Sequence, residues 1–95
     1  MNIKWLDWKS VFVEKIRTKH GVKMAEVEEV LLRLMHVRKA GRGHVRGEDL
    51  YAGFGRTVAG RYLIVLFVHK KPDIAMPISA RDMTPTERRY YEDNN

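Results

Sequence analysis

The order of periodicities along the chain predicts an α+β fold, with helices packed on one face of an antiparallel sheet. Three observations carry this. The first third repeats apolar residues at helical spacing. From about residue 34 the pattern switches to alternation and then to one continuous apolar run. These strands follow one another with short links, which favours antiparallel pairing. The chain closes on a helix-start signal, Thr84-Pro85-Thr86-Glu87. The element order is (β)ααβββ(β)α, in 95 residues that make a single domain with one core.

Each element has a local cause. Residues 2–6 read as a short strand, and Asp7 as the N-cap of a first helix. Trp8, Val11, Phe12 and Ile16 form its apolar stripe, and it runs to about Lys19, with Gly21 as a left-handed stop. A second helix spans about Lys23 to Leu34, its apolar face made by Met24, Val27, Val30, Leu31 and Leu34. Glu26, Glu28 and Glu29 sit in its early turns, where the helix dipole favours acids. Residues 34–38 suit a short strand and 39–47 a basic, glycine-rich loop. In the next strand, about 49–58, Leu50, Ala52 and Phe54 point one way and Tyr51 and Thr57 the other. Residues 61–69 are apolar on both faces, which predicts a central strand. After the breaker Pro72, residues Ile74, Met76, Ile78 and Ala80 alternate along a last strand. Thr84 and Glu87 form a capping box, with Pro85 at the first position of a helix that reaches about Glu92.

Composition narrows the function. Hydrophobic residues make up 44% and charged residues 32%, the balance of a soluble globular chain rather than a disordered one. The absence of cysteine excludes disulfides, thiolate zinc sites and cysteine nucleophiles. No apolar run approaches a membrane span, and Met1-Asn2-Ile3-Lys4-Trp5 lacks the apolar stretch of a signal peptide, so a cytoplasmic protein is expected. Net charge is +6 and unevenly placed: residues 30–72 hold nine cations against two acids. A cationic middle suits a polyanionic partner, nucleic acid first; a solvated basic surface is the alternative.

Few motifs carry chemistry. Gly41-Arg42-Gly43 and Gly53-Phe54-Gly55 do not extend to a phosphate-binding fingerprint. His20, His36, His44 and His69 lack metal-ligand spacing, so neither metal nor cofactor is expected. Arg56 shares a strand face with Leu50, Ala52 and Phe54, Arg61 begins the central strand, and Arg81 extends the last one. An antiparallel sheet can gather such arginines over one region, where guanidinium groups bind phosphate in a bidentate way. The alternative for each is an ion pair, with Glu48, Asp82 or Glu87 as partner. Trp8 is expected in the core. Tyr90 and Tyr91 lie about 100° apart on a helix, so only one faces the sheet squarely. His20 sits where it can bond the last carbonyls of the first helix, or, by its chemistry, transfer protons.

Taken in order, several segments resemble a known family. They are Trp5-Leu6-Asp7, Lys19-His-Gly-Val22, Glu26-Val-Glu-Glu-Val30, Gly47-Glu-Asp-Leu-Tyr51, Gly55-Arg-Thr57 and Gly60-Arg-Tyr-Leu-Ile-Val65, then Ile78-Ser-Ala-Arg-Asp-Met-Thr84 with Glu87-Arg-Arg-Tyr-Tyr-Glu92. The set resembles the BrnT family of type II toxins over almost the whole chain. The resemblance implies a RelE-like fold, a four-to-five-stranded antiparallel sheet behind two N-terminal helices. It implies a ribonuclease that halts growth by damaging RNA. It also implies a BrnA-type antitoxin with a ribbon-helix-helix domain, through which alone operator DNA would be bound. The chain departs from many members at Val11-Phe-Val13, where they carry Asn, and in its basic loop from Lys39 to Gly47.

Metal-independent RNA cleavage needs a base for the 2′-hydroxyl, cations for the phosphoryl oxygens and an acid for the leaving 5′-oxygen. Arg56, Arg81 and Arg61 are the candidates for the second task. His20, Tyr91 and Glu87 are the candidates for proton transfer. Lys39, Arg42, Arg46, Lys70 and Lys71 would hold the RNA backbone. A non-catalytic module that binds nucleic acid or an acidic protein, and a purely structural interaction domain, are the competing classes.

Overall fold

A five-stranded sheet carries helices on both of its faces. In chain order the elements are β1 (Trp5–Leu6), α1 (Ser10–His20), α2 (Met24–Leu31), β2 (His36–Gly41), β3 (Leu50–Arg56), β4 (Tyr62–Lys70), β5 (Ile74–Asp82) and α3 (Pro85–Asn94). The computed structural model describes residues 1–33, 35–42 and 47–94. The strand order is β1-β5-β4-β3-β2, so the doubly apolar β4 is central, as its sequence predicts.

The sheet is mixed, which corrects the antiparallel expectation. β2 to β5 form an antiparallel meander, but β1 runs parallel to β5, with Trp5 opposite Ile74 and Leu6 opposite Ala75. Two helices and three strands separate β1 from β5, so the chain returns by a long connection and either direction is open to it.

Helices α1 and α2 cover one face. Ile16, Val22, Val27, Val30 and Leu31 bury themselves against Leu63, Val65, Phe67, Ala75 and Ala80, with Ile3 at the edge. Glycine lets this layer come close: a Cβ on Gly55 would sit 2.9 Å from Val30 Cγ1. Trp8 packs partly buried against this core, as expected, but Val11 is 66% exposed and drops out of the stripe. Asp7 does not cap α1. Its carboxylate is taken by Lys70 at 2.9 Å and Lys9 at 3.4 Å, and the helix starts three residues later with Lys9 at the cap position. Gly21 ends α1 with φ 62°, its N–H donating to the Arg17 carbonyl. α2 is shorter than its apolar pattern suggests, and Glu26 accepts from the Lys23 N–H at its start.

The other face holds Ala52, Phe54, Ile64 and Tyr91, flanked by Tyr62, Leu66, Met83 and Tyr90. Helix α3 therefore lies on the side opposite α1 and α2, and the expectation of helices on one face is corrected. The apolar stripe of α3 is short, but the even positions of β3 and β4 give it a surface to cover. A register shift in β5 departs from the expected alternation: Leu66 pairs with Ser79 but Phe67 with Pro77, leaving Ile78 as the extra residue. Beyond that bulge Arg81 stands opposite Ile64, on the α3 face, and Asp82 opposite Leu63, on the α1/α2 face.

Candidate active site

The α3 face gathers cations and aromatic rings from four elements. β2 contributes His36 and Arg38, whose register partners on β3 are Phe54 and Ala52. β3 ends in Arg56, opposite Tyr62 of β4. α3 adds Arg88 and Tyr90. The Arg38 guanidinium lies 5.1 Å from the Tyr90 ring centroid and 5.8 Å from that of Phe54. Tyr62 has two cations at its ring, Arg88 at 3.8 Å and Arg56 at 4.8 Å. His36 Nε2 and Tyr90 Oη are 2.7 Å apart. Beside Arg56 is an open pocket of about 550 Å³ lined by Arg33, Arg56, Thr57, Val58, Ala59 and Gly60.

The charge state of this surface follows from its pairing. Among the described residues, Arg38, Arg56 and Arg88 make no ion pair. Stacking on a ring holds a guanidinium plane while leaving its N–H edge open to an anion. These guanidinium edges can receive phosphate oxygens, although Arg56 also donates from Nε to the Gly60 carbonyl at 3.3 Å.

The residues singled out by sequence are distributed differently. Arg56 and Arg81 share the α3 face, about 12 Å apart, two strand spacings across and two residues along. Arg81 is held bidentately by Glu87, Nη1 to Oε1 at 2.7 Å and Nη2 to Oε2 at 2.8 Å. That bond, with the Thr84 N–H, keeps the Glu87 carboxyl down to about 2 against the opposing effect of burial. Glu87 thus also completes the capping box: its Oε1 accepts from the Thr84 N–H, and its own N–H donates to Thr84 Oγ1. Arg61 lies on the opposite face. It donates to Asp82 at 2.7 and 3.1 Å, to Glu26 at 3.1 Å, and to the His20 and Gly21 carbonyls. The Asp82 carboxylate raises the Arg61 guanidinium, and Arg61 in turn lowers Asp82. His20 belongs to this cluster through its backbone carbonyl, which accepts from Arg61 at 3.2 Å. The sheet therefore separates Arg61 and His20 from Arg56 rather than gathering them.

Tyr91 is buried, with its ring edge-on to Tyr62 at 6.0 Å. Of the backbone-holding candidates, Lys39 pairs with Asp49 at 3.0 Å and Lys70 with Asp7 at 2.9 Å. Arg42 and Lys71 are exposed, and Arg46 lies outside the described residues. His36, Arg38 and Arg88 were not singled out from sequence as site residues, and Tyr90 only as one of two adjacent tyrosines. The available signals were the shared parity of His36 and Arg38 on a short strand and the rule that one of two adjacent tyrosines must face the sheet.

The comparison with known proteins turns on one match. Residues 8–87 fit the family described as "Ribonuclease toxin, BrnT, of type II toxin-antitoxin system". The chain belongs to the BrnT family. That is the family which the ordered motifs resemble. BrnT members are ribonuclease toxins, so membership assigns this chain an RNA target and an antitoxin partner. The crystal structure of the ribonuclease toxin BrnT from Brucella abortus has the same fold, with a TM-score of 0.61 at 17% identity over 84% of this chain and 96% of that one. No curated protein matches by sequence. Among the described residues, no helix is long and apolar enough to cross a membrane, and no three His, Asp or Glu side chains gather as for a metal ion.

Proposed function

We propose that this BrnT-family chain is a RelE-like endoribonuclease that cleaves RNA without a metal ion, by attack of the 2′-hydroxyl on the adjacent phosphorus. The observation that carries the reading is the set of guanidiniums of Arg38, Arg56 and Arg88 on the α3 face, lying over aromatic rings and without ion pairs among the described residues. Charge builds on the non-bridging oxygens as the 2′-oxygen attacks, and cations held in place by their ring contacts stabilise it with little reorganisation. Arg56 keeps the role assigned from sequence and is joined by Arg38 and Arg88. Arg81 and Arg61 act by positioning: one fastens α3 to β5, the other fastens the ends of α1 and α2 to the sheet. His20 and Tyr91 support the same two junctions. Arg42, Arg46 and Lys71 steer the polyanion, while Lys39 and Lys70 are held in ion pairs with Asp49 and Asp7.

Cleavage in the cytoplasm arrests growth, and a BrnA-like antitoxin with a ribbon-helix-helix domain silences it. The antitoxin segment that covers the α3 face is acidic, matching the cations there.

The test uses purified chain, bulk RNA and excess chelator, with end-mapping of the products. Fragments ending in 2′,3′-cyclic phosphate and 5′-hydroxyl are expected, and induction without the antitoxin stops growth. Salt-sensitive RNA binding with no cleavage, on free RNA or on translating ribosomes, would leave a binding module instead.

A further inference from the structure

The geometry points to a proton relay on the α3 face, in which Tyr90 touches the RNA 2′-hydroxyl and His36 takes the proton onward. This rests on the ribonuclease reading above and supplies the base that reading leaves open. His36 comes from β2 and Tyr90 from α3, 54 positions apart, and their polar atoms meet at 2.7 Å. The contact is within ordinary hydrogen-bond distance. Its geometry is fixed by aromatic neighbours. The two rings meet edge-on with centroids 5.1 Å apart, and Phe54 lies 5.2 Å from Tyr90 and 6.1 Å from His36. Both side chains are only half-buried, so the pair reaches the surface.

Arg38 supplies the anchor. Its guanidinium lies over the same Tyr90 ring and makes no ion pair among the described residues. A phosphate seated on Arg38 brings the neighbouring ribose to the Tyr90 hydroxyl. A phenol by itself is a poor base. It accepts a proton readily when it can pass its own to a stronger one, and imidazole is the side chain suited to that near neutral pH.

The step balances as a transesterification. The 2′-hydroxyl proton passes to Tyr90 Oη while the Tyr90 proton passes to His36 Nε2. The 2′-oxygen bonds to phosphorus, and the bond from phosphorus to the 5′-oxygen breaks with its electron pair on that oxygen. The 5′-oxygen takes a proton from water, and the His36 imidazolium returns its proton to the hydroxide left behind. Nothing is oxidised or reduced. Tyr90 is the catalytic residue and His36 the positioning residue that acts through it.

The experiment measures single-turnover cleavage of a labelled oligoribonucleotide by the full chain, with binding read on its 2′-deoxy analogue. Tyr90→Phe and His36→Ala are each expected to slow cleavage about 100-fold or more. Binding of the deoxy analogue stays within about twofold, because the relay acts on the transition state. Added imidazole restores His36→Ala by about tenfold or more and leaves Tyr90→Phe unchanged. A Tyr90→Phe rate equal to wild type overturns the relay and leaves the ribonuclease reading standing. Binding lost in step with rate, or no rescue by imidazole, also overturns it by making the pair structural. A wild-type chain that leaves both the oligonucleotide and translated message intact overturns the ribonuclease reading and the relay with it.

Discussion

Glu87→Gln isolates the bond that holds α3 on the sheet. Glutamine keeps the shape and can still accept from the Thr84 N–H in the capping box, so the variant removes the charge of Glu87 and, because its amide nitrogen donates, one of the two Arg81 hydrogen bonds. In the wild type the Arg81 guanidinium lowers the carboxyl from 4.5 to about 2. A shift of that size sets a ceiling of about 3 kcal/mol on the contribution to folding. Arg81 is 41% exposed, so solvent screens the pair, and about 1–2 kcal/mol remains. The sign follows from the direction of the shift. A carboxyl depressed on folding stabilises above its unfolded value and loses that stabilisation as pH falls from about 4.5 towards about 2. Thermal unfolding of both proteins at pH 7 and pH 2.5 reads this directly. Glu87→Gln melts roughly 5–10 °C below wild type at pH 7, and most of the gap closes at pH 2.5. Equal melting at pH 7, or a gap unchanged at pH 2.5, would refute an ionic clamp between β5 and α3.

Three further outcomes follow from the same geometry. Arg61→Gln lowers stability in urea unfolding by about 2 kcal/mol, because Asp82 and Glu26 lose their shared partner, and it leaves RNA affinity near wild type. Gly55→Ala costs about 1–3 kcal/mol in the same assay, since the added methyl meets the stiff Val30 side chain at 2.9 Å and α2 must move off the sheet. Arg38→Gln and Arg88→Gln each weaken RNA binding and reduce the slope of log affinity against log salt by about 0.7, as each removes one phosphate contact on single-stranded RNA. Titration across a salt series checks this, and an unchanged slope would place both arginines outside the binding face.

Much of the fold is legible in sequence because it rests on local pattern. The run at 61–69 has no polar face, and it sits at the centre of the sheet. Gly21 and the Thr84–Glu87 box mark helix ends where the backbone requires them. What escapes depends on partners far along the chain. The parallel direction of β1 is set by a strand about 70 residues away, the β5 bulge is absent from a simple alternation, and Asp7 is drawn from its capping role by Lys70. The site follows the same division. Arg56 could be placed from strand parity. The ion-pair alternative already named Asp82 and Glu87, and those are the partners of Arg61 and Arg81. His36 and Arg38 had only their shared strand parity as a local signal, since their meaning comes from Tyr90 and Phe54. A free arginine and a paired one look alike in sequence, and only the three-dimensional arrangement separates them.

The most direct measurement of the central claim compares wild type with Arg38→Ala/Arg56→Ala in single-turnover cleavage of one defined RNA in excess chelator, with both proteins checked for the same melting behaviour. Removing one such donor costs about two to three orders of magnitude, so the double variant is predicted to lose at least about 100-fold in rate while staying folded. Cleavage at the wild-type rate by the folded double variant would contradict the account and move the reaction away from the α3 face.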